Sequence, residues 1–190
     1  MALGKQAKTL SDGQIRAVLG HLSEGQNASR NQAMVLLSVD AGLRAKEIAL
    51  VTWEMVTDSS GSVGDAIRLE DKASKGKSGG VVFLSKRLKH HLEEFAVDRE
   101  KTGTIIKSRD GNAMSAQVVT NWFWLLYKSL GFDGCSSHSG RRTAITRWAR
   151  NITTAGGSMR DVQALARHSS LAMTQRYVEI SAGAMQRVVG

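Results

Sequence analysis

Apolar residues recur at helical spacing along most of this chain, and the pattern breaks between Ala66 and Leu84; that interruption limits what the chain can fold into. Two short strand-like runs, Ala66 to Glu70 and Gly80 to Leu84, flank a polar, glycine-rich stretch that holds Lys72, Lys75 and Lys77. Short apolar runs separated by turn residues predict a β-hairpin, here with a basic tip. The rest reads as helix. Ser11-Asp-Gly-Gln14 is a capping box, followed at helical spacing by Ile15, Val18, Leu19 and Leu22. A second helix runs through Ala33 to Ala41 and stops at Gly42, and a short one follows from Ala45 to about Trp53. Ser85 caps a helix to about Lys101, Ser115 caps another through Trp122, Trp124 and Leu125 to Gly131, and Ser158-Met-Arg-Asp161 is a further capping box. With no proline in 190 residues, Gly, Ser and Asn must punctuate these helices. The prediction is a mainly α fold with one small antiparallel β-sheet (α+β). It is expected to form a single compact domain, with a core over residues 9–178 and a tail over 179–190.

Charge narrows the partner. Lys and Arg number 26 against 17 Asp and Glu, a net charge of +9 and a pI near 10.1. Such an excess favours a polyanion, with nucleic acid ahead of an anionic membrane. Its placement says more than its size. Between His138 and Tyr177 stand Arg141, Arg142, Arg147, Arg150, Arg160, Arg167 and Arg176 against the single acid Asp161. A charge run is usually a solvated face, but this one also holds two histidines and one of two tyrosines, and guanidinium forks match phosphate oxygens. Cys135 is alone, so neither a disulfide framework nor a cysteine-based metal site can be built. The first residues lack the apolar core of a signal peptide, and no apolar run is long enough to span a bilayer, so the expectation is a cytoplasmic protein without a membrane partner.

The residues that could carry chemistry each have a plain structural reading too. Arg44 lies three residues before Glu47, so the two meet on one helical face; this is either a surface ion pair or a carboxylate orienting a phosphate-gripping guanidinium. His138 and Arg141, also three apart, can converge on one anion. Lys75 at the hairpin tip is either a solubilising turn residue or a lysine that reaches a leaving oxygen. Tyr177 closes an amphipathic segment with Leu171, Met173 and Thr174, whereas Tyr127 belongs to a core helix. A phenol is a poor nucleophile until cations or a base assist it, and Arg141, Arg176 and His168 are the means at hand. His90 and His91 are adjacent and cannot face one metal, and His138 and His168 lack ligand partners at useful spacing, so a metal site is set aside.

Taken together, these residues resemble the tyrosine recombinase (phage integrase) family, from about Thr9 to Val178. Ala-Gly-Leu-Arg44-Ala-Lys-Glu47 is similar to the family's first arginine box, and Lys75, eight residues before Phe83, to its hairpin lysine. His138-Ser-Gly-Arg141 is similar to its His-x-x-Arg box, and His168 through Tyr177 to its last histidine and nucleophile box. Four positions depart from the family pattern: Ser139 and Gly140 replace acidic and leucine residues, Arg167 stands where glycine is usual, and Phe83 where proline is usual. The resemblance implies a catalytic domain without the helical core-binding domain that usually precedes it. It implies a transesterification on duplex DNA with no cofactor and no metal. Tyr177 would form a 3′-phosphotyrosyl bond while Arg44 and Arg141 hold the non-bridging oxygens. His168 would donate to the phosphate, His138 would assist proton movement at Tyr177, and Lys75 would protonate the departing 5′-oxygen. Lys72, Lys77, Arg142 and Arg176 would bind DNA, and Glu47 would support Arg44. Expected partners are double-stranded DNA and further copies of the chain, monomeric in solution and tetrameric on paired sites, with the tail docked on a neighbour or on its own domain. Two other readings stay open: a type IB topoisomerase, which uses a similar residue set, and a non-catalytic DNA-binding regulator.

Overall fold

The computed structural model describes residues 6–70, 79–97 and 99–177, together with residues 186 and 189. Lys72, Lys75 and Lys77 lie outside the described residues, as does most of the tail. The chain divides into two compact units, Met1–Ala144 and Ile145–Gly190.

The first unit opens with α1 (Asp12–Ser23), whose capping box forms as its sequence predicts: Ser11 Oγ accepts from the Gln14 N–H, and Gln14 Oε1 accepts from the Ser11 N–H. Its buried stripe of Ile15, Val18 and Leu22 packs on α2 (Ala28–Val39). Helix α2 starts five residues before the apolar run suggests, because Ser29 to Gln32 give a polar first turn. The expected helix from Ala45 to Trp53 is two helices, α3 (Ala45–Leu50) and α4 (Trp53–Val56). Val51 and Thr52 between them are extended and pair with a distant segment: Ile105 N–H donates to the Val51 carbonyl, and Trp53 N–H to the Gly103 carbonyl. That long-range pairing overrides local helical propensity and leaves no trace in the spacing of residues 45–53.

The hairpin forms as expected. Strands β1 (Ala66–Leu69) and β2 (Gly80–Phe83) are antiparallel with Ile67 opposite Val82 and Arg68 opposite Val81. Ile67, Leu69 and Val82 face the core while Arg68, Val81 and Phe83 face solvent, the period-2 alternation of a half-buried ribbon. Ser85 caps α5 (Lys86–Ala96), which ends five residues earlier than anticipated, and Ser115 caps α6 (Ala116–Ser129). Helix α6 packs on α3 and supplies Phe123 and Tyr127 to the core. Tyr127 stacks on Phe123 at 5.9 Å and on Phe132 at 6.4 Å.

Helix α7 (Ser139–Asn151) carries the boundary between the units. The second unit builds a small core from Ile145, Val162 and Ala166, with Trp148, Ile152, Met159 and Tyr177 packed against it. Its remaining helices are α8 (Met159–Ala166), opened by the Ser158–Asp161 capping box, and α9 (Leu171–Gln175), which packs on α8. The described architecture is mainly α with one two-stranded antiparallel sheet.

Candidate active site

In the first unit the chemistry gathers where α2 ends. Gly42 takes a left-handed φ of 61°, and the Leu43 N–H returns to the Leu37 carbonyl at 3.0 Å, closing α2 and turning the chain into α3. Arg44 stands at the start of α3. Its backbone N–H donates to Glu47 Oε2 and its Nη1 to Glu47 Oε1, both at 2.8 Å. The Glu47 side chain is fully buried whereas Arg44 keeps 24% of its side-chain surface. A buried carboxylate must be paired, and both oxygens of this one accept from Arg44, one from its backbone N–H and one from its guanidinium. Among the described residues the other guanidinium N–H groups of Arg44 have no protein acceptor.

Arg141 reaches the same turn from 99 residues away. It is 4% exposed, and its Nη1 donates to the Gly42 carbonyl at 2.5 Å, two residues before Arg44. The close approach of α7 that allows this depends on its neighbour. A Cβ on Gly140 would lie 2.2 Å from Ser38 Oγ and 2.8 Å from Ser38 Cβ, so the glycine is a packing requirement. His138 lies just before the first turn of α7 rather than within it, with its carbonyl accepting from the Arg142 N–H. Its side chain is exposed while that of Arg141 is buried. Arg142 is half-buried and its Nη1 bonds Gln6 Oε1.

Sequence reasoning missed Asp40. Its carboxylate accepts from Ser85 Oγ at 2.8 Å and, through both oxygens, from Arg87 Nε at 3.0 Å and Nη2 at 2.6 Å. Ser85 follows β2 by two residues, so Asp40 ties the end of α2, and with it the arginine turn, to the exit of the hairpin. The acid is separated from its partners by 45 and 47 residues, and no local pattern marks it.

In the second unit His168 and Tyr177 stand together. Their rings stack at 5.4 Å with 26° between planes. His168 is 7% exposed and its Nδ1 lies 3.0 Å from Thr174 Oγ1; Thr174 is fully buried. The Tyr177 N–H donates to the Thr174 carbonyl at 3.0 Å, and the Tyr177 ring is half-buried against the small core. Arg176 beside it is exposed. Arg167, at the end of α8, adopts φ 52° and ψ 46°, the left-handed conformation that explains a preference for glycine there.

Tyr127 is unsuited to nucleophilic work. It is 1% exposed, its hydroxyl has no hydrogen-bond partner among the described residues, and burial drives its phenol above the ordinary range, holding it protonated. Among the described residues no three His, Cys, Asp or Glu side chains group as metal ligands. A cavity of about 480 Å³ lined by Arg30, Trp53, Phe95, Arg99, Lys107 and Arg109 opens at the N-terminal end of α2. The helix rise puts that end roughly 16 Å from the arginine turn, so the cavity and the turn are separate features.

A phage integrase family model matches residues 8–183, and the chain belongs to that family. It is 24% identical over 180 residues to the tyrosine recombinase XerC of Rickettsia bellii (strain OSU 85-389), a match that covers 92% of this chain and 56% of the relative. The chain thus spans about half the length of the curated relatives it matches. The fold is shared with the XerA recombinase, with TM-score 0.71 and 18% identity over 99% of this chain and 64% of the other. It is shared too with the Tn1549 transposon integrase in complex with a circular intermediate DNA, with TM-score 0.75 and 15% identity over 98% of this chain and 66% of the other.

Proposed function

We propose that the chain is the catalytic part of a site-specific recombinase that cleaves and rejoins duplex DNA through a 3′-phosphotyrosyl bond at Tyr177. The observation that carries this reading is the arginine turn. Two guanidinium groups far apart in sequence are held on residues 42–47, one fixed by a buried carboxylate with donors to spare. Preorganised cations help most where charge builds, which in phosphoryl transfer is on the non-bridging oxygens of the pentavalent transition state. Arg44 and Arg141 are assigned to those oxygens, and Glu47 to orienting Arg44. The Tyr177 hydroxyl attacks phosphorus, its proton leaves with His138 assisting, and the 5′-oxygen departs with a proton from Lys75, while His168 donates to the phosphate. The phosphoester bond is exchanged and not hydrolysed, so a second 5′-hydroxyl reverses the step without a nucleotide cofactor. Lys72, Lys77, Arg142 and Arg176 are assigned to the DNA backbone.

Family membership and the recombinases and integrases that share the fold support the reading. It extends to assembly. Exchange between two duplexes breaks four strands, so four copies of Tyr177 must act on paired sites. It also keeps the protein in the cytoplasm with its DNA. The test is a nicked duplex from which the cleaved fragment diffuses away, trapping the covalent adduct. Tyr177→Phe is expected to abolish the adduct while DNA binding stays within about twofold, since no phosphate-gripping charge is lost. An adduct formed by the variant would place the nucleophile elsewhere.

A further inference from the structure

Thr174 touches both functional groups of the second unit at once. Its hydroxyl meets His168 Nδ1 at 3.0 Å and its carbonyl accepts the Tyr177 N–H at 3.0 Å, with its side chain wholly buried. Other helical threonines here behave differently. Thr120 Oγ1 donates to the Ala116 carbonyl and Thr143 Oγ1 to the Ser139 carbonyl, each one turn back. Among the described residues the hydroxyl of Thr174 has one hydrogen-bond partner, the imidazole. A buried hydroxyl that keeps its proton from an acceptor forfeits a hydrogen bond, at a cost that favours the paired arrangement. The Thr174 proton therefore goes to Nδ1, and in a neutral imidazole the ring proton must then sit on Nε2.

We propose that Thr174 is a positioning residue that fixes His168 as the Nε2–H tautomer, so that the ring presents a donor for a phosphate oxygen, and that holds this ring in register with Tyr177. The inference rests on the assignment of His168 as a phosphate donor. It adds why a fully buried threonine stands three residues before the tyrosine. The remaining ring nitrogen is a donor in this tautomer and an acceptor in the other. The hydroxyl of Thr174 thus decides whether His168 helps or repels an anionic oxygen.

The test uses the 190-residue chain with Thr174→Val, which keeps the shape and removes the hydroxyl, and Thr174→Ser, which keeps the hydroxyl. The first readout is the pair of imidazole ¹⁵N shifts of His168, which report the tautomer directly. The wild type and Thr174→Ser are expected to show protonated Nε2 and bare Nδ1, and Thr174→Val to lose that fixed pattern in a folded protein with dispersed amide signals. The second readout is single-turnover cleavage of nicked DNA. Thr174→Val is expected to slow cleavage about 10-fold or more, short of the roughly 100-fold expected from removing a positioned proton donor outright, with DNA affinity unchanged and Thr174→Ser restoring most of the rate. A Thr174→Val protein that keeps the Nε2–H pattern and cleaves at the wild-type rate overturns the inference, as does equal slowing by Val and Ser. His168→Gln separates the two levels. If it cleaves at full rate, His168 is not the phosphate donor and the catalytic half of the inference falls, while the ¹⁵N shifts still judge the hydrogen bond.

Discussion

Single residues in this chain show which local rules are obeyed and which are broken with a tertiary reason. Glu47 is the clearest case: from sequence it is one half of an ordinary i, i+3 ion pair, yet it is wholly buried and spends both oxygens on Arg44. Spacing revealed the pairing but could not reveal the burial, which is set by tertiary packing around α3. Arg167 breaks a local rule openly. An L-residue at φ 52° costs roughly 1–2 kcal/mol because Cβ crowds the following carbonyl oxygen. Comparing two variants isolates that backbone term. Arg167→Ala removes the guanidinium and keeps the strained Cβ, whereas Arg167→Gly removes both. The glycine variant is expected to be more stable than the alanine variant by about 1 kcal/mol, read as a higher denaturant midpoint at unchanged slope. Equal midpoints would show that residue 167 relaxes out of the left-handed region once the arginine is gone.

At the scale of elements, α7 matters most, because its first turn must come close enough to α2 for Arg141 to reach the Gly42 carbonyl. Gly140 permits that approach, and a methyl group there has nowhere to go. Gly140→Ala is expected to destabilise the protein by about 1–3 kcal/mol through overpacking against Ser38, despite alanine's better helix propensity. Ser38→Gly removes the two closest of the three atoms that crowd the new methyl group and leaves Val39 Cγ1 at 3.1 Å, so the cost of Gly140→Ala in that background should shrink without vanishing; a denaturant double-mutant cycle measures the coupling. Purely additive effects would mean that the two residues do not meet. This contact also explains a departure from the family pattern that the sequence could only register as odd. Other elements were legible for a definite reason: capping serines at 11, 85, 115 and 158 mark helix starts through short-range hydrogen bonds, and alternating burial marks the hairpin. What sequence misjudged was set at long range. The break at Val51 and Thr52 is imposed by residues 103–105, and the early start of α2 is hidden by a polar first turn.

For the whole molecule, the composition carries the proposal about DNA. A net charge of +9 on 190 residues, with arginines crowded into the stretch that also holds His138, His168 and Tyr177, is expected to make phosphate contact the main source of affinity in the proposed DNA complex. Each cation that neutralises a phosphate releases condensed counterions, so the logarithm of affinity for duplex DNA should fall linearly with the logarithm of salt, by about 0.9 for each contact. The motif boxes that carry the family resemblance were legible in the sequence, and the arginine turn and the His168–Tyr177 stack bring some of their members together within each unit. Asp40 and Thr174 escaped the sequence reading because their roles are contacts, across 45 residues in one case and through a buried hydroxyl in the other. The two kinds of residue should separate in a salt titration. Arg176 is exposed and assigned to the backbone, so Arg176→Gln is expected to reduce the salt slope by about one and weaken binding evenly across DNA sequences. Thr174→Val carries no charge change and should leave the slope untouched while slowing cleavage. An unchanged slope for Arg176→Gln would remove Arg176 from the DNA surface, and a slope near zero for the wild type would show that its excess charge does not meet phosphate at all.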